Sequence, residues 1–293
     1  MGPPPGPPKP GVDFGATFST GSSTLEGVAD YPQREVFPNA PLEFVACEIR
    51  VPTAPKLVRE DTFEALTDEL ADVLPIPDEE QVQTLTVLGG NGIETERRYR
   101  FLNRERTASA VVARNAVTVE TTDYREFSDF RSLVLTVAEA VATTTRIVGI
   151  ERLGLRYIDE VRVPEEITDA SGWRSWISDE VLGVLSFAEG YRNDGFQTVL
   201  RLGGDDSTGL VLRYAAMVGA GVVGDGPLRR RAPAATGPFF VIDTDSFRTS
   251  PGPDMEEFVH DRIAEILDLL HKPVGTLFHH AITDRLREEF RRA

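Results

Sequence analysis

The residue types best suited to chemistry are few and unevenly placed. All four histidines, His260, His271, His279 and His280, lie near the C-terminal end. His260 and His271 share a helix face by spacing but stand about 16 Å apart at 1.5 Å per residue, too far for one metal ion. His279 and His280 are adjacent and diverge on a helix, and no HExxH or comparable ligand pair is present, so no metal site is expected. His271 precedes Lys272-Pro273 and reads as the last residue of a helix, where a cationic ring suits the helix dipole. The single cysteine, Cys47, falls mid-strand in LEFVACEIRV, the setting of a buried inert thiol. One cysteine also excludes an internal disulfide framework and a Cys-based zinc cluster. There is no GxSxG, and no glycine-rich loop precedes Lys56 or Lys272. Gly219, Gly221, Gly224 and Gly226 lack the strand-to-helix frame of a dinucleotide fingerprint and read as a flexible insertion. No catalytic residue and no cofactor is expected.

Charged residues are more telling. Glu94-Thr95-Glu96-Arg97 alternates as metal-holding acids on a strand would, but it follows the Asn91-Gly92 turn signal and reads as an exposed hairpin end. Asp205-Asp206 and Asp243/Asp245 read as a turn and a strand end. Arg97, Arg98, Arg100, Arg104, Arg106 and Arg114 crowd one stretch, with Arg98 and Arg100 on one sheet face by period two. Arg229-Arg230-Arg231 form a second group. Such a surface either pairs with the surplus carboxylates or meets an anion: a nucleic acid, a nucleotide or an acidic partner. Arg50 and Arg162 occupy equivalent strand positions, and Arg156 lies in the central Leu153-Gly154-Leu155-Arg156-Tyr157-Ile158. Buried arginines must be paired, so Glu48, Glu160 or helix carboxylates are their expected contacts; a ligand-binding pair is the alternative. The candidate binding residues are therefore Arg50, Arg98, Arg100, Arg156 and Arg162.

The chain has 293 residues, with 31 Lys+Arg against 47 Asp+Glu and a formal charge of −16. Its 41% hydrophobic and 27% charged residues are those of an ordinary globular protein able to build its own core. The acidic balance disfavours broad nucleic-acid or anionic-membrane binding. No apolar run reaches the roughly 18–20 residues of a membrane span, and residues 1–14 lack the apolar core of a signal peptide. A cytoplasmic location with no membrane partner is expected.

These residues are positioned by two similar runs of elements. Residues 1–36, rich in Pro, Gly, Ser and Thr, form an expected disordered tail in which Phe14 and Phe18 are possible anchors for a partner. The first α+β unit, 37–146, has an expected strand over 42–51, a helix from 61 and strands over 82–88, 98–102, 109–114 and 116–122. A helix over 129–143 follows. The second, 147–293, has a strand over 150–163, a helix from about 172 and strands over 196–202, 210–217 and 239–244. Its last helices cover 254–271 and 276–292, the former starting at Asp254 with Glu257 in capping-box spacing. Glu48-Ile49-Arg50-Val51-Pro52 matches Glu160-Val161-Arg162-Val163-Pro164. Asp68-Glu69-Leu70 matches Asp179-Glu180-Val181, and Glu120-Thr121 with Tyr124 matches Asp243-Thr244 with Phe247. The matches keep their order and nearly constant separation, the mark of an internal duplication. The expected fold is α+β, with duplicated β-α-β(3-4)-α units, antiparallel sheets and a pseudo-two-fold axis. Its element order resembles the TATA-binding-protein fold.

Pro38-Asn39-Ala40-Pro41 with the strand after it, the central LGLRYI, and Leu270-His271, Phe278 and Ile282-Thr283-Asp284 near the end together carry a further likeness. Over about residues 37–286 the chain resembles a sporadically distributed family of bacterial proteins of uncharacterised activity. Asp159 stands where that pattern leads one to expect asparagine. The family's scattered distribution implies association with mobile or defence-related gene cassettes. The leading expectation is a non-enzymatic binding or regulatory module with a protein partner. Second is an enzyme or small-molecule sensor with an Arg/carboxylate site between the repeats, and third is nucleic-acid binding through the arginine-rich sheet face.

Overall fold

The computed structural model describes residue 35 and residues 37–86, 92–188, 190–204, 207–222, 226–231, 235–250 and 255–292. Nearly all of the expected tail lies outside the described residues, Phe14 and Phe18 included, as do Asn91, Asp205, Asp206, Gly224 and Asp254.

Among the described residues, nine strands form one antiparallel sheet: β1 (Leu42–Arg50), β2 (Ile76–Thr86), β3 (Gly92–Leu102), β4 (Ala108–Ala113), β5 (Ala116–Thr121), β6 (Arg152–Val161), β7 (Phe196–Gly203), β8 (Thr208–Gly219) and β9 (Gly237–Thr249). The order across the sheet is β2-β3-β4-β5-β1-β6-β9-β8-β7. The centre is therefore the β1·β6 pair, in register from Val45 opposite Tyr157 to Arg50 opposite Arg152. Period-two alternation sorts these strands. Val45, Cys47 and Ile49 of β1 and Leu153, Leu155 and Tyr157 of β6 are buried on one face, whereas Glu48, Arg50, Arg152 and Arg156 occupy the other. The architecture is mixed α+β.

The helices are α1 (Glu60–Glu69), α2 (Phe127–Thr144), α3 (Asp179–Leu182), α4 (His260–Ala281) and α5 (Asp284–Arg291). Among the described residues no helix is long and apolar enough to cross a membrane. Two cores lie under the helices. One joins β1, β3–β6, α1, α2 and the first half of α4 through residues such as Phe101, Leu155, Val134 and Leu267. The other joins Val161, β8, β9, Trp173, Trp176, the end of α4 and α5. α4 thus spans both.

The C-terminal helices differ from expectation. Residues 255–259 are not helical: Glu256 bridges Ile150 of the sheet and is held by Arg248 at 3.0 Å and Arg262 at 2.6 Å, so α4 begins only at His260, without a side-chain cap. The helix also passes through Pro273 to Ala281. Proline costs a turn its N–H donor, but the buried stripe Ile263, Leu267, Leu270, Val274 and Ala281 continues across it and outweighs that loss. His271 is consequently mid-helix and does not sit at a C-terminus. The break comes at Ile282, which bridges Ile177, after which Thr283 caps α5 by accepting from the Leu286 N–H. The single helix expected from 172 is broken too. A 3₁₀ turn, Ala170–Ser175, is followed by extended Ile177, and Ser178 then caps α3 by accepting from the Glu180 N–H.

Pro273→Ala restores the donor for the Leu269 carbonyl and should raise stability by about 1 kcal/mol or more, measured by urea unfolding. A loss of stability would mean that the proline shapes α4 in a way an unbroken helix cannot.

Candidate functional site

The five arginines singled out by sequence lie along the side of the sheet away from the helices, and all of them meet carboxylates. Arg50 donates to Glu48 at 2.7 Å. Arg156 makes a two-pronged contact with Asp243, 2.7 Å at each oxygen, and Arg213 reaches the same carboxylate at 3.3 Å. Arg98 pairs with Glu96 at 3.0 Å. Arg100 donates to Glu80 at 2.5 Å, to the Ser109 hydroxyl at 2.7 Å, and to Glu120. Arg162 stands 3.9 Å from Glu160, with its guanidinium 4.7 Å from the centre of the Phe239 ring. Arg152, not singled out, links Glu48 to Asp245. The structure does not gather these residues around one cavity. It distributes them along the sheet in separate ion-paired groups.

A cavity of about 670 Å³ opens on the opposite, helical side. It lies at the seam where the two cores part, floored by the end of β6 and roofed by the stretch of α4 from His271 to His279. Alternation along β6 explains its chemistry. Leu153, Leu155 and Tyr157 face the first core and Val161 the second, so the residue between them, Asp159, must point to the same side. Asp159 is only 7% exposed and lines the cavity, and among the described residues its carboxyl has no hydrogen bond or ion pair. Burial pushes that carboxyl up to about 8, and the negative charges of Asp243 and Glu43 push the same way. The pairing of β1 with β6 shifts between Leu42 and Phe44, directly opposite Asp159. Such bulges re-aim strands beside functional sites.

Aromatic groups complete the wall. The Tyr157 hydroxyl lies 3.0 Å from His271 Nδ1, and the His271 ring stacks on Phe127 at 3.8 Å with an interplanar angle of 7°. Tyr124 meets Tyr157 edge-on at 5.7 Å. Burial holds the Tyr157 phenol well above its usual range, so it is protonated at neutral pH. Cys47, by contrast, is fully buried in the first core with its thiol pushed up by burial, and lines no part of the cavity.

The arginine trio anchors the cavity's edge. Arg230 pairs with Glu160 at 2.9 Å and Glu43 at 3.1 Å, while the Val222 N–H donates to Glu160 at 2.9 Å. Gly221 makes this approach possible: its φ is 131°, and a Cβ there would stand 2.5 Å from a Glu160 oxygen. The Arg229 N–H donates to the Arg106 carbonyl at 2.6 Å, and the Arg229 carbonyl accepts from Thr122 at 2.5 Å. The described parts of the expected flexible insertion are thus tied down, which brings Arg231 to the cavity.

Sequence reasoning passed over Asp159, Tyr157, Tyr124 and His271 as a site. One signal was available: an aspartate at the inward position of an otherwise apolar alternation.

Two consequences are measurable. An unfolded aspartate titrates near 3.9, so between there and about 8 the folded chain keeps a proton that the unfolded chain has lost. This contribution weakens stability as pH rises from about 4 to 8 and is flat above. Asp159→Asn should therefore be more stable than the parent at pH 8 by roughly 1–3 kcal/mol, with the gap closing toward pH 4, in urea titrations across that range. Arg230→Ala removes the nearer guanidinium from Glu160, whose side chain is 1% exposed, leaving Arg162 at 3.9 Å, and should cost about 3 kcal/mol by the same method. In comparisons with known proteins, no family model and no curated protein matches the chain.

Proposed function

We propose that the protein is a non-enzymatic small-molecule-binding module, a sensor or regulator whose ligand lies in the cavity between β6 and α4. The observation that carries this reading is Asp159, a buried carboxyl with no partner among the described residues, facing a space of about 670 Å³. That volume lies within the roughly 300–1,000 Å³ of small-molecule sites, and the lining sets the rings of Phe37, Tyr124, Tyr157 and Phe278 beside charged side chains, Arg125, Arg231 and Lys272 among them. An unpaired buried carboxyl costs stability, and such costs gather where a ligand is to be met. Asp159 and Tyr157 are both held protonated by burial at neutral pH, which suits them to hold a ligand better than to abstract its proton.

The position supports a site at the junction of two related units. Outward from the central pair the order runs β5, β4, β3, β2 on one side and β9, β8, β7 on the other, so three strands on each side fit a duplication about a pseudo-two-fold axis and β2 at the edge has no counterpart among the described residues. A protein partner would then read the ligand through α4, which packs on both cores. Nucleic-acid binding through Arg98 and Arg100 is less favoured, because phosphate would have to displace Glu80, Glu96 and Glu120 from them.

The test uses the neutral fluorophore N-phenyl-1-naphthylamine, whose emission rises in apolar cavities. Gly275 lines the cavity, and a Cβ added there meets nothing within 4 Å, so Gly275→Trp obstructs the site without a clash at its Cβ. Saturable binding at one equivalent, weakened by at least about tenfold (1.4 kcal/mol) in the variant, is expected. No binding, or binding indifferent to the obstruction, would overturn the proposal.

A further inference from the structure

We infer that the cavity takes an organic amine, its protonated nitrogen paired with Asp159 and flanked by the rings of Tyr124 and Tyr157. The inference rests on the cavity being a ligand site and names the chemistry of what enters it.

Its basis is a mismatch of charge within the wall. The carboxylates near Asp159 are already matched: Glu43 on β1 by Arg230, and Asp243 on β9 by Arg156 and Arg213. Asp159 on β6 is not, and no guanidinium or ammonium among the described residues lies within ion-pair distance of it. The two matched carboxylates leave a residual negative field at Asp159, which a cation relieves and an anion aggravates. Aromatic faces add to the preference. Tyr124, Tyr157, Phe37 and Phe278 line the same space, and aromatic rings attract a desolvated ammonium. Phe37 is itself fixed, edge-on to Phe290 at 5.6 Å. A bound anion at Asp159 would meet a carboxyl and ring faces; Arg125, Arg231 and Lys272 also line the cavity, but the charges acting on Asp159 itself are those of Asp243 and Glu43. A neutral amide could accept a hydrogen bond from protonated Asp159 but would gain nothing from the field.

Binding then carries a proton signature. Below about pH 8 the Asp159 carboxyl holds a proton, which must leave for solvent when an ammonium pairs with it. Glu43 and Asp243 act on Asp159 through this range, with Tyr157 on its own strand; the same cavity is lined by His271, Lys272 and His279 of α4, by Arg231, Glu35 and Glu126, and by the Asp123–Arg125 pair. Glu43 and Asp243 are ion-paired and Tyr157 stays neutral, and Asp159→Asn separates Asp159 from the histidines, because a proton released by His271 or His279 would persist in that variant.

The experiment displaces N-phenyl-1-naphthylamine from the full-length protein with three probes of similar shape: 2-phenylethylamine, 3-phenylpropanamide and 3-phenylpropionate. The amine is expected to compete at least about tenfold better than the other two at pH 8. Its affinity should fall about tenfold per unit as pH drops from 8 to 6. Asp159→Asn, which keeps the size of the side chain, should still bind the fluorophore and lose the amine's advantage. An amine no better than its amide counterpart, or an advantage that survives Asp159→Asn, overturns the inference while the fluorophore's sensitivity to Gly275→Trp keeps the cavity reading intact. If the fluorophore itself is indifferent to that obstruction, both fall together.

Discussion

The antiparallel pairing of β1 with β6 is the contact on which the rest of the molecule is arranged. Every other strand is added outward from it, and each of the two cores grows on one side of it. Because the pair is central, both strands have neighbours along both edges and both must satisfy two faces. The helical face takes Val45, Cys47, Ile49, Leu153 and Leu155 into the first core. Among the described residues no helix covers the other face, and charged residues occupy sheet positions there: Glu48, Arg50, Arg152, Arg156 and the buried Asp243. In a chain with 47 acidic and 31 basic residues, the basic groups on that face are the minority partner, which is why each guanidinium there is engaged by at least one carboxylate.

The seam follows from geometry. Two cores built on one sheet need a helix long enough to reach both, and among the described residues α4, at 22 residues, does so. A helix of that length is about 33 Å long at 1.5 Å per residue, whereas the sheet beneath it twists. The two surfaces cannot stay in contact along the whole length. They separate where the first core's last contributions, Leu270 and Val274, give way to Ala281 of the second, and the space between holds Asp159, His271 and Thr276. The Glu43 bulge opposite Asp159 falls at the same level of the sheet. Polar residues at this level are the ones a continuous core would not tolerate.

What could be read from sequence divides along the same line. β4 and β5 were legible from their β-branched residues, Val111 and Val112 in one and Val117, Thr118, Val119 and Thr121 in the other, and α2 because Phe130, Val134, Val137 and Val141 mark one face. The Arg50–Glu48 contact was legible since both residues belong to one strand at period two. Arg156 with Asp243 was not, because it depends on a register between strands 87 residues apart. The limits of α4 were misread for an instructive reason: Pro273 is a stop signal only when nothing pulls the chain onward, and here Val274 and Ala281 are buried beyond it. Asp159 was noticed as a departure from a resemblance. Its meaning needed the burial of Tyr157 and Val161 on either side, and its neighbour His271 is brought to Tyr157 across 114 residues.

The cavity's energetics make it a place where a ligand can matter to the whole fold. The carboxyl at its floor weakens the folded state by an amount on the order of 1–3 kcal/mol. A ligand present at 100 times its dissociation constant stabilises by about 2.7 kcal/mol. The two magnitudes are comparable, so occupancy can offset the cost of the unpaired group. Because the cavity's floor belongs to the central pair and its roof to α4, a helix shared by both cores, that offset acts on the contact between them. A ligand bound at a peripheral loop would stabilise one element; a ligand at this seam biases how tightly α4 is held against β6, and so couples small-molecule binding to the packing of both halves.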